Sequence, residues 1–373
     1  MSFDLKKTLN PRVLTAPKYD LKHVSVCWEH EGELMRVLSN ESAYPPLESV
    51  QAAICDIASK GNWYPEDPSQ CMPLREKLAA YTSLQPENIT LGNGSMELLD
   101  VLFQMFIAEP GADEVIMPAP DYTAYSIRAQ LFGAVARFVS GGEDTDKIVG
   151  DILKAITPRT KLVLLSRPNN PTGKVIPRKD VLRILQSRVL TVVDEAYVEL
   201  ADEGTTVAPW INEWDNLIVM RTFSKAFGLA GLRLGYLLAS PEVIHYANRV
   251  RHAFNVNLVA IVAAIASLDD LDSITARIDE QRQTRDWLTD QVNRIPGLRA
   301  IPSQGNFILV DTADSGRKAT KFVDGLFERG IYVRDFSRKP GLDIDRYFRI
   351  TVGLRGDMAR LLRELDDMLQ TGT

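Results

Sequence analysis

The chain has 373 residues, 45% hydrophobic and 25% charged, the mix of a soluble globular protein with a sizeable core and about two domains. Its net charge of −6 is spread without blocks, which argues against a nucleic-acid or anionic-membrane surface, and no apolar run approaches the roughly eighteen residues that a membrane span requires. Partners are expected among small molecules, with no nucleic acid and no membrane.

The opening stretch, MSFDLKKTLNPRVLTAPKYD, carries lysines but no continuous apolar segment, so it is not expected to be a secretory signal, and a cytoplasmic location is expected. Cys27, Cys55 and Cys71 are odd in number and widely spaced, as reduced thiols are. The tightest metal-like cluster is His23, Cys27 and His30. It lacks a second cysteine pair or a His-Glu-x-x-His spacing, so no metal is expected and the three are read as surface residues of an amino-terminal arm.

Further along, LGNGSMELLDVLFQMF (91–106) places a Gly-Ser step at the start of an apolar helix. Such a terminus offers unpaired N–H groups and a favourable dipole to an anion, which makes the amides of Gly94, Ser95 and Met96 candidates for a phosphate cradle. Short runs rich in Val, Ile and Leu follow at 114–117, 161–165, 190–194 and 216–220. Runs without a polar face suit strands covered on both sides, and the pattern predicts a mostly parallel mixed sheet flanked by helices, an α/β architecture. The segment 177–188, PRKDVLRILQSR, is predicted to be a crossover helix with Pro in its first turn and Val181, Leu182, Ile184 and Leu185 towards the sheet. From about residue 262 the texture changes to a long charged helix (271–295), the strand GNFILVD, a helix around 318–330, the strands IYVR and YFRITVG, and a last helix. That order predicts a smaller α+β domain over 262–373, beside a large domain over 40–261, with residues 1–39 as an arm that helps complete the small one.

Three of the strand-like runs end in polar groups that a core does not need. KLVLLSRPNNPTG leads to Asn170, LTVVDEAY ends at Asp194 with Tyr197 beyond, and NLIVMRTFSK ends at Lys225. Ligand crevices in open parallel sheets lie outside the carboxyl ends of the strands, and the intervals of 24 and 31 residues between Asn170, Asp194 and Lys225 each allow a crossover. Taken alone, Lys225 reads first as a surface lysine at a strand end, and Asp194 and Tyr197 as an ordinary helix start with an N-cap. Together they place an amide, a carboxylate, a phenol and an amine in one cleft.

A lysine among apolar and small residues loses hydration as an ammonium, and its free amine becomes available for a Schiff base, the linkage made by the aldehyde of pyridoxal phosphate. The ring of that cofactor accepts electrons while its nitrogen stays protonated, a task for the carboxylate of Asp194. Asn170 and Tyr197 are candidates to donate to its 3-oxygen. Arg233, eight residues past the lysine, matches phosphate oxygens with a forked charge, and the hydroxyls of Thr222 and Ser224 lie near it in sequence.

These residues fall in motifs that recur in a known family. TFSKAFGLAG has the attachment-site pattern of class II pyridoxal-phosphate aminotransferases, and PNNPTG, VVDEAY, AGLRLGY, PSQGNF and VRD…FRITVG occur in the order seen in histidinol-phosphate aminotransferases. The chain resembles that family over roughly residues 36 to 360. The resemblance implies fold type I of the pyridoxal-phosphate-dependent transferases and a homodimer with active sites at the subunit interface, the arm adding dimer contacts. It implies that Lys225 holds the cofactor covalently and later moves the proton, that Asp194 pairs with the ring nitrogen, and that Tyr122 stacks on the ring. Tyr64 is implied to reach the partner subunit's phosphate, Arg349 to clamp a substrate carboxylate, and Arg334 and Asn40 to touch substrate.

The function so implied is ping-pong transfer of an amino group from an amino acid, or an amine such as histidinol phosphate, to a 2-oxo acid or aldehyde. KPGLDIDRYFRI (339–350) looks closer to threonine-phosphate decarboxylases, so an amino-acid decarboxylase is the alternative enzyme. A non-catalytic regulatory domain of the same fold is the alternative of another class, although no helix-turn-helix or basic stretch is recognised before residue 36.

Overall fold

The computed structural model describes residues 4–19, 21–65, 71–140 and 145–371. Three short helices, α1 (Leu5–Thr8), α2 (Pro11–Thr15) and α3 (Lys22–Glu29), lead to strand β1 (Met35–Val37) and helices α4 (Glu48–Ile57) and α5 (Met72–Thr82). The chain then alternates through β2 (Ile89–Gly92), α6 (Ser95–Phe106), β3 (Glu114–Ala119), α7 (Thr123–Phe132), β4 (Val135–Ser140), α8 (Thr145–Ala155), β5 (Thr160–Ser166), α9 (Arg178–Gln186), β6 (Thr191–Asp194), β7 (Leu217–Thr222) and β8 (Gly235–Leu238). These strands form a seven-stranded sheet in the order β2-β8-β7-β6-β5-β3-β4, in which β8 is antiparallel to both neighbours and the other pairings are parallel.

The unbroken apolar runs have the reason expected of them. Ile116, Val163, Leu165, Val193, Leu217 and Val219 face a core shared with α5, α8, α9 and α11 (Leu258–Asp269). The alternate residues Val115, Met117, Leu162, Leu164, Val192, Ile218 and Met220 face a second one shared with α6 and α7. Both faces are therefore dry, and period-2 alternation inside the strand leaves no polar side. In α9 the buried residues include Val181, Ile184 and Leu185, and the helix stops two residues earlier than expected, before Arg188 at φ 63°.

After α10 (Pro241–Val250), α11 and α12 (Leu271–Val292), a second sheet forms from β9 (Arg299–Ile301), β10 (Phe307–Asp311), β11 (Ile331–Asp335) and β12 (Tyr347–Thr351), with helices α13 (Ala319–Glu328) and α14 (Arg355–Thr371). Its order is β1-β11-β12-β10-β9, so β1 pairs in parallel with β11 nearly 300 positions away. The sequence change near residue 262 falls inside α11, whose buried Ala260, Ile261, Ala263, Ala264 and Leu268 all belong to the large-sheet core. The passage to the second core occurs along α12: Ile274 and Ile278 pack in the first, Leu288 and Val292 in the second. Among the described residues no helix is long and apolar enough to cross a membrane.

Candidate active site

Strands β5, β6 and β7 end side by side, with Ser166 in register with Asp194 and Asp194 with Met220. Beyond these ends lies a cleft of about 480 Å³ whose lining includes Asn40, Ser95, Met96, Tyr122, Asn170, Asp194, Tyr197, Thr222, Ser224, Lys225, Arg233, Arg334 and Arg349. Nearly every residue singled out from the motifs converges there.

Lys225 sits in the turn after β7 and donates from Nζ to the carbonyl of Ser39 at 3.0 Å. Burial and then the nearby Arg349 lower its pKa to about 8, so a free amine is accessible near neutral pH. Asp194 is 5% exposed, and burial pushes its carboxyl up to about 6 despite two hydrogen bonds that favour the charged form. One comes from the hydroxyl of Tyr125 to Oδ2 at 2.5 Å, the other from the amide of Ala196 to Oδ1 at 3.0 Å. Tyr122 meets Tyr125 edge to face, with ring centroids 5.5 Å apart.

The hydroxyl of Tyr197 accepts from Asn40 Nδ2 at 3.0 Å and from Asn170 Nδ2 at 3.4 Å. Two amides on its oxygen leave the phenol proton for another acceptor. Asn40 was expected at the substrate; it lines the cleft, but its side chain is engaged by Tyr197 and by Thr351, whose hydroxyl donates to Asn40 Oδ1 at 3.0 Å. Arg349 donates to Asn170 Oδ1 at 2.6 Å and to the carbonyl of Leu38 at 2.7 Å, while its buried Nε has no partner among the described residues. The guanidinium lies 5.1 Å from the ring centroids of Phe307 and Phe336. Burial lowers its pKa to about 10, which keeps it a cation at neutral pH.

At the other end of the cleft, Gly94 (φ 78°) caps α6, and Ser95 begins it. A methyl group at Gly94 would collide with Nη2 of Arg233, so only glycine lets the arginine approach the helix start. Arg233 donates to the carbonyl of Ala230 at 3.1 Å and is 3.5 Å from Ser224 Oγ, which accepts from Thr222 at 2.9 Å. Glu97 braces this loop by accepting from the amide of Asn93 and, at 2.6 Å, from Asn255 Nδ2.

Sequence reasoning missed several cleft residues. Tyr19, Leu21, His23 and Val24 of the amino-terminal arm line it, as do Glu41, Tyr125, Phe336 and Lys339. His23, expected on the surface of the arm, faces the cleft instead, and Cys27 is buried, where desolvation raises its thiol pKa. Lys339 donates to the carbonyl of Asp121 and the hydroxyl of Thr123 at the start of α7, and burial lowers its pKa to about 8. Tyr64 stands apart from the cleft lining, 84% exposed and stacked on Phe254 at 5.1 Å.

The seven-stranded sheet, the five-stranded one and the cleft at the strand ends with Lys225 and Asp194 in its lining have the architecture of pyridoxal-phosphate enzymes of fold type I. Residues 33–365 match the family model described as aminotransferase class I and II, and the chain belongs to that family. A histidinol-phosphate aminotransferase of Thermoanaerobacter sp. (strain X514) is 41% identical over 318 residues, 84% of this chain and 87% of that protein. The crystal structure of histidinol-phosphate aminotransferase from Sinorhizobium meliloti in complex with pyridoxal-5'-phosphate matches with a TM-score of 0.85 and 26% identity, over 98% of each chain. The L-threonine-O-3-phosphate decarboxylase of Porphyromonas gingivalis matches with a TM-score of 0.78 and 23% identity, over 90% of this chain and 99% of that one, a likeness of fold alone. The decarboxylase alternative therefore has no better support than the aminotransferase.

The chain is thus a pyridoxal-phosphate-dependent aminotransferase, acting on a small-molecule amino donor and an oxo acceptor. Its residues fit the cofactor. The start of α6 and Arg233 form a cradle that a single Cβ at Gly94 would fill, and Asp194 is a buried carboxylate whose hydrogen-bond donors among the described residues are both neutral.

Proposed function

We propose that this aminotransferase takes its amino group from histidinol phosphate and passes it to a 2-oxo acid, as a cytoplasmic homodimer in amino-acid biosynthesis. The observation that carries the substrate reading is the cationic end of the cleft, where Arg334, Lys339 and Arg349 lie together; the acidic residues among the described lining are Glu41 and Asp194, the latter assigned to the cofactor ring. Both a phosphate monoester and a 2-oxo acid carry the anion such a wall attracts, and a forked guanidinium binds either in two-point fashion. The names of relatives such as the Thermoanaerobacter protein favour the phosphate ester as donor.

Each residue then has a task. The amides of Gly94, Ser95 and Met96, with Arg233 and the hydroxyls of Thr222 and Ser224, hold the cofactor phosphate. Tyr122 packs on the ring, Asp194 holds a proton at the ring nitrogen, and Asn170 and Tyr197 donate to the 3-oxygen. Bound pyridoxal phosphate supplies an aldehyde for imine formation and a ring that takes up the electrons freed at the substrate's reacting carbon. Lys225 Nζ would hold the aldehyde and, once freed from it by the incoming amine, would be the base that takes the proton from the substrate carbon and passes it to the cofactor's exocyclic carbon, with a pKa of about 8. Arg349 fixes a substrate carboxylate, with Arg334 and Asn40 beside it.

The division into an arm (1–39), a large domain and a small domain belongs to the same reading, with the passage from large to small drawn along α12 rather than at residue 262, which lies within a helix of the large-sheet core. So does the dimer. Tyr64 and Phe254, stacked and exposed, give it an aromatic surface, and Tyr64 is assigned to the phosphate of the partner subunit's site.

A half-reaction screen tests the substrate. Histidinol phosphate, glutamate and threonine phosphate are each mixed with the loaded enzyme and the pyridoxamine form is read by absorbance. Conversion by histidinol phosphate supports the assignment. Carbon dioxide release from threonine phosphate without the pyridoxamine form would favour the decarboxylase.

A further inference from the structure

Asp194 is buried, yet no ammonium or guanidinium is bonded to it among the described residues. Its carboxylate is met by two neutral donors, the Ala196 amide on Oδ1 and the Tyr125 hydroxyl on Oδ2. A backbone amide follows from the turn and comes with any sequence; the phenol does not. Tyr125 is 1% exposed in the core that α7 forms with the sheet, and its ring is held edge-on to Tyr122. The hydroxyl therefore has a fixed place rather than a choice of rotamers.

The neutrality of this donor matters chemically. A hydrogen bond to the charged form of an acid favours that form, and a neutral phenol does so without cancelling the charge. An arginine in its place would neutralise the carboxylate and leave less of its field for a protonated ring nitrogen. With no donor on Oδ2, the buried carboxylate would hold a proton more tightly and compete for the one on the ring.

We propose that Tyr125 is a positioning residue which, through Oδ2 of Asp194, sets where the proton sits between that carboxylate and the cofactor's ring nitrogen. The inference rests on the assignment of Asp194 to the ring nitrogen. Tyr125 touches neither the substrate nor the reacting carbon in this account; it acts through Asp194.

The test uses the full-length protein loaded with pyridoxal phosphate carrying ¹⁵N in the ring, read by nitrogen NMR. In the native protein the resonance lies between the two limits, nearer the protonated position. In Tyr125→Phe, which removes one oxygen from the packing, it moves towards the neutral position, matching about a ten-fold change in the proton's partition for one lost hydrogen bond to a charged acceptor. Turnover falls with it while KM for the amine stays. A fluorinated tyrosine at position 125 keeps the contacts and makes the phenol a stronger donor, so it moves the resonance the opposite way. That second variant carries the test if Tyr125→Phe does not fold.

A resonance unmoved by the replacement at 125 overturns the proposal. If the native resonance is neutral and Asp194→Asn leaves it there, the assignment of Asp194 fails first, a different result from a protonated nitrogen that ignores Tyr125.

Discussion

Arg349 donates to Asn170 across 2.6 Å, joining residues 179 positions apart in the chain, one on β12 and one in the loop after β5. The same guanidinium reaches the carbonyl of Leu38 at 2.7 Å, so two of its nitrogens are fixed before any substrate arrives. Preorganisation of this kind lowers the ordering cost of binding.

Arg349→Lys removes the fork. An ammonium cannot satisfy Asn170 and Leu38 and still present two parallel donors, so KM for the 2-oxo acid is expected to rise by about ten-fold or more. Steady-state kinetics with the acceptor varied checks this. An unchanged KM speaks against Arg349 as the clamp.

Gly94→Ala places a methyl group against Nη2 of Arg233 and asks a residue with a side chain to adopt φ 78°. The chain is expected to fold with its cradle spoiled, and affinity for pyridoxal phosphate to fall by about 100-fold, the loss of two charge-assisted contacts. Titration of the cofactor-free protein by absorbance reads the loss directly.

Lys225→Ala removes the nitrogen that anchors the aldehyde and carries the proton. The protein is expected to fold and to keep some affinity through the phosphate cradle, with turnover down by about 10³-fold or more. Borohydride reduction followed by peptide mapping should tag position 225 in the native chain and nothing at that position in the variant. Substantial turnover in Lys225→Ala contradicts the assignment.

Asp121 gives a pH test. It is buried beside Ser166, its Oδ2 has no partner among the described residues, and burial raises its pKa to about 7. A carboxyl raised from 3.8 in the folded state binds more protons there than in the unfolded chain between pH 4 and 7. Its contribution to stability is therefore present below about pH 4 and lost as pH rises through 7. Asp121→Asn, which stays neutral, should stabilise the cofactor-free protein more at pH 8 than at pH 5, by on the order of 2 kcal/mol in urea unfolding. Equal effects at both values would count against a buried, high-pKa carboxyl.

Much of the site is legible in the sequence because parallel strands covered on both faces carry few polar residues except at their carboxyl ends. Asn170, Asp194 and Lys225 stand out for that reason, and topology alone brings them to one edge. Tyr125 does not stand out, since an aromatic on an apolar helix reads as packing until its hydroxyl is seen at 2.5 Å from Asp194. Tyr19, His23 and Lys339 arrive from distant parts of the chain, with no local pattern to mark them. Strands β1 and β8 are three and four residues long, too short for alternation to show, and β1 finds its partner β11 only in the folded protein.

Helix α12 is a single rod of 22 residues with one end embedded under each sheet. It works as an axle that fixes the angular setting of everything after it. A residue inserted midway, between Arg282 and Asp286, would turn the downstream half by about 100° and swing β12, with Arg349, away from Lys225. The lysine and the arginine would each survive intact, yet they would no longer address the same molecule.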